Sequence, residues 1–356
     1  MRLSRRHLLA TTGAGAALTL ARPTLAADPL KVGFVYVGPI GDFGWTHGHH
    51  MGLEAVEEQF GDQVETSHVE NVAEGPDAER VIRQLASGGH KLIFTTSFGF
   101  MNPTIKVARQ FPDVRFEHAT GYQTAANVSA YNARFYEGRA ICGTIAGHVS
   151  QSGIVGYIGS FPIPEVVMGI NAFTLAMQKI RPDVQVKVVW VNSWYDPGKE
   201  SDAAKSLVDQ GADIICQHTD SPAPMQVAEE RGIPAFGQAS DMKAYGPKAQ
   251  LTSIIDDWSG YYVQRVQDVI DGAWESQSIW WGLEKGMVKM ADYGPAVPEQ
   301  VRIEADQVEA GIIDGTLHPF EGPVTDQSGT ERIAAGAHAS DEEMLTMDWY
   351  VEGVQA

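Results

Sequence analysis

Cysteine is nearly absent from this chain, with Cys142 and Cys216 the only two among 356 residues. A disulfide framework is therefore excluded as the source of stability, since such scaffolds pack several bridges into short chains. Both thiols lie in apolar stretches of a predicted helix and a predicted strand, where buried, unpaired cysteines are expected, although an oxidising compartment would permit a bridge. Positive charge is scarce too: 26 Lys and Arg stand against 45 Asp and Glu, a formal net charge of −19. So acidic a surface repels nucleic acid and anionic membrane, and neither is expected as a partner. Beyond the N-terminus no run approaches the ~20 apolar residues of a spanning helix. The chain also lacks G-x-x-x-x-G-K-[ST], H-E-x-x-H and G-x-S-x-G, which removes the phosphate loop, the zincin helix and the nucleophile elbow. No short repeat or low-complexity tract is present, so solenoids are excluded.

What is there begins with a processing segment. Ser4-Arg5-Arg6-His7-Leu8-Leu9, the uncharged run Ala10 to Ala21 and Thr24-Leu25-Ala26 form a charged region, an apolar region and a small-residue cleavage site. It resembles the twin-arginine export signal, with Leu8 and Ala10 where Phe and Lys are usual. Residues 1–26 are expected to be removed. No Cys follows, so no lipid anchor is expected. Loss of Arg2, Arg5, Arg6 and Arg22 with no acid takes the charge from −19 to −23. The expected location is the bacterial periplasm.

The body alternates apolar strand-like runs with helical patterns: KVGFVYV (Lys31 to Val37), KLIFTTSF (Lys91 to Phe98), GIVGYIG (Gly153 to Gly159) and ADIICQHT (Ala212 to Thr219), each followed by a predicted helix. Such alternation predicts an α/β fold with parallel sheets. Two successive runs of it in about 330 mature residues predict two doubly wound lobes. The first lobe is expected over 28–150 plus 252–283 and the second over 151–251 plus 284–330, with 331–356 a C-terminal extension. Crossovers are expected near Gln151, Leu251 and Gly282 to Lys285.

Gly38 to His50, GPIGDFGWTHGHH, sits where the first strand hands over to the first helix. In an open parallel sheet, ligands bind at the carboxyl ends of strands and the helix N-termini facing them. An indole beside a carboxylate suits a flat polar molecule, since the ring stacks and the carboxylate accepts N–H donors. The alternative is that Trp45 packs in the core and Asp42 is a turn residue. Polar and aromatic residues recur at other strand ends: Ser97, Phe98 and Asn102; Phe161; Trp194; His218 and Asp220; Gln238 and Asp241; Asp256. They would converge on a cleft between lobes.

In order, Gly-x-x-x-Asp-x-x-Trp, Ser-Phe-Gly-Phe-Met-Asn-Pro, Arg-Phe-Tyr-Glu-Gly (Arg134 to Gly138), Trp-Tyr-Asp-Pro-Gly-Lys (Trp194 to Lys199), Asp-Gln-Gly-Ala-Asp and Leu-Thr-Ser resemble the basic membrane protein family. These are substrate-binding proteins of ABC importers, of the purine nucleoside receptor type. The resemblance covers nearly all of residues 30 to 290. It implies a type I periplasmic-binding-protein fold, an inner-membrane permease as partner, and a purine held between one aromatic from each lobe. Trp45 and Trp194 match those aromatics and Asp42 the first-loop acid, with Asn102 at a position often acidic in relatives. The expected ligand contacts are Asp42, Phe43, Trp45, Thr46, His47, Ser97, Phe98, Asn102, Phe161, Trp194, Asp220, Gln238, Asp241 and Asp256.

Departures shift the expected ligand. Thr46-His47 replaces the Asn-Gln of nucleoside-binding relatives, Asp256-Asp257 stands near their lysine, and Ala239-Ser240-Asp241 replaces Asp-Ser-Asp. Loss of a cation and an acid from ribose-holding positions favours a free base, adenine-like. His47, His49 and His50 form an H-x-H-H group, but a metal needs three or four converging ligands, so no metal or cofactor is expected. Trp274, Trp280 and Trp281 are read as packing. The expected protein is a monomeric, non-catalytic receptor. Two alternatives are a nucleoside hydrolase using Asp256, Asp257 and His218, and a receptor for another small ligand that feeds a chemoreceptor.

Overall fold

A computed structural model describes residues 28–356, so the predicted leader 1–26 lies outside the described residues. The first half alternates as its apolar runs predict: β1 (Leu30–Val35), α1 (Gly44–Phe60), β2 (Val64–Val69), α2 (Pro76–Ser87), β3 (Leu92–Thr95), α3 (Met101–Ala108), β4 (Arg115–Ala119), β5 (Val128–Ala133) and α4 (Phe135–Val149). The period restarts with β6 (Ile154–Gly159), α5 (Pro164–Ile180), β7 (Gln185–Trp190), α6 (Pro197–Asp209), β8 (Ile214–His218), α7 (Ala223–Arg231), β9 (Ala235–Gly237) and β10 (Gln250–Asp256). Then come α8 (Ser259–Ile270), β11 (Ser278–Trp281), β12 (Val288–Met290), α9 (Glu299–Ile313), β13 (Val324–Thr325), β14 (Glu331–Ile333), α10 (Asp341–Leu345) and β15 (Val354–Gln355).

Two large sheets result, in the orders β11-β5-β4-β3-β1-β2 and β12-β10-β9-β8-β6-β7-β15. All pairings in the first are parallel, and in the second only β10 with β12 is antiparallel. Central strands such as β3 and β8 are buried along their whole length, which is why they read as unbroken apolar runs.

The pairing moves two expected boundaries. Leu251 to Asp256, expected to return to the first lobe, is β10 of the second sheet, with Thr252 opposite Phe236 and Ile255 opposite Lys289. The strand that returns to the first sheet is β11, whose Ile279 lies opposite Tyr131 of β5. Helix α4 also belongs with the second lobe. Its residues Phe135 to Gly147 are all buried, and it lies against α5 so closely that a methyl on Gly143 would overlap the Phe173 carbonyl. A methyl on Gly147 would sit 2.7 Å from Ile180 Cβ. The chain therefore crosses between lobes at Arg134, at Asp257-Trp258 and at Gly282, rather than at Gln151 or Leu251. The passage at Gly282 runs from β11 of the first sheet to β12 of the second. The expected extension 331–356 is part of the second lobe, since β15 pairs with β7 and Asn171 of α5 bonds both Trp349 and Val351.

Cys142 and Cys216 are buried free thiols, as expected. The tryptophans beyond residue 270 also pack: Trp274 donates to Glu117 at 2.6 Å and Trp280 to the Ala133 carbonyl at 2.9 Å, while Trp281 meets Tyr261 edge-on.

Candidate functional site

Four non-glycine residues among those described have left-handed backbones: Asn71, Thr120, Asn192 and Ala239. Each lies just beyond the carboxyl end of a strand, β2, β4, β7 and β9 respectively. Such conformations cost free energy and persist where surrounding contacts impose them, commonly around binding sites.

At the carboxyl ends of β1, β3, β7, β8 and β9 lies a cavity lined by Val37, Trp45, Ser97, Phe98, Glu165, Trp194, His218, Thr219, Asp220 and Gln238, with about 420 Å³ of empty space including its mouth. It draws on both lobes. Trp45, Ser97, Phe98, Trp194, Asp220 and Gln238 are thus brought together from the expected set. Trp45 is also a packing residue. Its indole N–H donates to the Thr96 carbonyl at 2.6 Å, and its ring meets His49 and Trp258 edge-on with centroids 4.4 and 5.4 Å away. One face is thereby fixed while the residue still lines the cavity. Trp194 is steadied by Phe161, 5.1 Å away, and donates its indole N–H to Glu74 of the first lobe at 3.3 Å.

The polar groups have assigned senses. Arg139, fully buried on α4, donates to Gln238 Oε1 and, at 3.4 Å, to Cys216 Sγ. An arginine only donates, so the Gln238 oxygen faces it and the amide N–H₂ remains to donate elsewhere. His218 places Nε2 3.4 Å from Glu165. Burial holds its pKa below the usual value against the pull of Glu165, so the ring is neutral with its proton toward the carboxylate. Nδ1, buried without a partner, is then an acceptor. Asp220 accepts the Trp45 backbone N–H at 2.5 Å. Burial pushes its carboxyl up to about 7, with Glu200 adding to the rise and the Trp45 N–H opposing it. Thr219 Oγ1 and Glu165 Oε2 are further buried atoms of the lining without partners. Buried polar groups carry a free-energy cost until bonded, so this lining favours a ligand with several N–H donors beside at least one acceptor.

Other expected contacts sit elsewhere. Asp42 is exposed in the turn before α1, and Phe43 packs edge-on against Tyr245 with centroids 5.0 Å apart. Asn102 is exposed on α3, because helix periodicity turns it away from the sheet. Thr46 is buried and its hydroxyl has no partner. His47 and Asp241 line a second depression with Asp256 and Asp257, where Asp241 accepts from the Gln250 side chain at 2.7 Å. Asp256 is 3% exposed, both its carboxyl oxygens lack partners, and burial drives its pKa far up despite nearby Arg139. Glu165, Glu74 and Arg139 carry no sign of a site in the sequence. Glu165 and Arg139 read as ordinary helical residues, and only the meeting of α4, α5 and β8 gives them roles. No group of three or more His, Cys, Asp or Glu able to hold a metal occurs among the described residues.

The profile of the Bmp family, ABC transporter substrate-binding protein PnrA-like, matches residues 30–318. A purine-binding protein of Brucella abortus (strain 2308) is 58% identical over 92% of this chain and 94% of its own length. A putative ABC transporter glucose-binding protein, TsgA13 of Haloferax volcanii, is 37% identical over 92% of this chain and 81% of its own. Among solved structures, an ABC transporter solute-binding protein from Aeropyrum pernix K1 superposes with a TM-score of 0.72 at 18% identity, covering 83% of this chain and 94% of that one. Another from Conexibacter woesei superposes with a TM-score of 0.64 at 21% identity, covering 81% and 98%. The likeness is one of fold: the two-lobed α/β architecture that the strand alternation predicts, of the type I kind that the family resemblance implies. A match over most of its length, together with relatives that align nearly end to end, makes this chain a member of the Bmp family of PnrA-like ABC transporter substrate-binding proteins.

Proposed function

We propose that the chain captures a purine in the periplasm and presents it, lobes closed, to the permease of an ABC importer, without catalysing a reaction. One observation carries this reading: a single cavity between the lobes is lined by Trp45 of one and Trp194 of the other, with Asp220, His218 and Gln238 between them. The indoles grip a flat ring, and base stacking on an aromatic contributes about 1–3 kcal/mol per contact. Gln238 donates to a ring nitrogen while His218 Nδ1 and Asp220 accept from N–H groups. That pattern suits a 6-aminopurine better than a 6-oxopurine. The name of the Brucella relative, a purine-binding protein, supports the same ligand class.

Calorimetry of the mature protein with nucleobases, nucleosides and glucose tests the reading. Adenine is expected to bind one to one, more tightly than hypoxanthine. Glucose binding with no purine binding would favour the reading carried by the Haloferax relative's name. Release of free base from adenosine would make the chain a hydrolase, the alternative built on His218, Asp256 and Asp257.

A further inference from the structure

Helix α1 has no cap of its own. Phe43, at its N-cap position, makes no side-chain hydrogen bond to the helix, although the first-turn amides need acceptors. Both acceptors come from the opposite lobe. Ser240 Oγ takes the Gly44 N–H at 2.8 Å and Asp220 Oδ1 takes the Trp45 N–H at 2.5 Å, across 196 and 175 residues of chain. An acid at this end also meets the positive pole of the helix dipole. The approach leaves no slack. Gly44 has φ +83°, and a β carbon there would lie 2.7 Å from both the backbone oxygen and Oδ1 of Asp220. Ser240 is aimed by its neighbour Ala239, held at φ 60°. Separation of the lobes removes both acceptors from α1 together.

We infer that Gly44, Ser240 and Asp220 form a closure latch, in which the second lobe caps the first helix of the first lobe only when the lobes are shut. The helix cap is thus a switchable contact whose strength sets the closed fraction, and apparent affinity scales with that fraction. Because Trp45 is the residue whose amide is capped, latching also fixes the indole that lines the cavity. The ligand assumed for the test rests on the purine reading above; the latch itself does not.

The experiment compares wild type, Ser240→Ala and Gly44→Ala by adenine dissociation rate, by small-angle scattering with and without adenine, and by unfolding temperature without ligand. Ser240→Ala is expected to speed dissociation about fivefold, the scale of one lost cap, with a cooperative ligand-free unfolding transition that shows the fold intact. Gly44→Ala is expected to lose the compaction that adenine induces. Wild-type dissociation in Ser240→Ala, or wild-type compaction in a folded Gly44→Ala, overturns the latch. If wild type binds no purine, the ligand reading fails and ligand-free scattering decides. A Gly44→Ala protein more extended than wild type then supports the latch, and equal radii overturn it.

Discussion

Two tryptophans and two aspartates mark where side-chain chemistry was legible and where it was not. Trp45, in the first turn of α1 after β1, and Trp194, in the loop after β7, each follow a strand, so strand ends alone put them on one cleft, and both line the cavity. Asp42 precedes Trp45 in the same loop, yet its turn faces solvent. The carboxylate beside Trp45 is instead Asp220, 175 residues away. No spacing rule links such a pair. Removing Trp45 tests its double duty. Trp45→Ala is expected to weaken adenine binding tenfold or more by calorimetry, while the circular dichroism spectrum is kept because Trp258 and Phe135 still close the core behind it. Asp220 gives a pH dependence with a defined sign. Its carboxyl rises from 3.8 to about 7 on burial, so the closed form binds a proton that the open or unfolded chain releases. That contribution to closure is fully present below about 4 and is lost as pH rises through about 7. Glu200 and Asp256 are its acidic neighbours, and Glu165 and the neutral His218 line the same cavity; none supplies a compensating positive charge. The ligand-free closed fraction, followed by scattering, is therefore expected to fall between pH 5 and 8, and to fall less steeply over that range in Asp220→Asn.

Whole elements were read more securely than their allegiances. Nearly every apolar run became the strand it predicts, because both faces of a parallel sheet are covered. Helix α4, however, is buried on all sides and carries no periodicity that says which sheet it serves. Its Gly143 and Gly147 record the answer, since they fit only the close approach of α5. Gly143→Val is expected to destabilise the protein by about 3 kcal/mol or more in urea unfolding, overpacking against a backbone carbonyl that cannot rotate away. In the first lobe, β4 holds Glu117, fully buried, against Arg265 of α8 at 2.8 Å, with Tyr261 and Trp274 donating to the same carboxylate at 2.6 Å each. Truncation to Ala leaves a buried guanidinium partly unpaired. A loss of about 3–5 kcal/mol is expected in the same assay, with adenine affinity unchanged in the fraction that stays folded.

For the molecule as a whole, the two-lobed architecture was visible in the restart of the strand–helix period, while two of the three crossings were not, because β10 and α4 read like any other members of the alternation. Arg134 shows what a crossing requires. It stands between β5 and α4, stacks 4.4 Å over Trp280, bonds the Trp280 carbonyl at 3.0 Å and pairs with Asp341 of α10 at 2.7 Å. One guanidinium thus ties two of the three crossings to the C-terminal segment. Arg134→Ala is expected to weaken adenine binding and lower the unfolding midpoint together. Asp341→Ala, whose carboxylate is largely exposed, is expected to cost no more than about 1 kcal/mol in urea unfolding.

The family profile ends at residue 318, and the segment beyond it closes on β15, which pairs in parallel with β7. There the Val186 amide donates to the Gly353 carbonyl at 2.9 Å. Those few residues serve as a guard rail along an otherwise sticky flank. A recombinant version clipped before Gly353 would display bare amides and carbonyls of β7 to its neighbours, inviting strand-to-strand coalescence in a concentrated stock even while each copy still held its cargo.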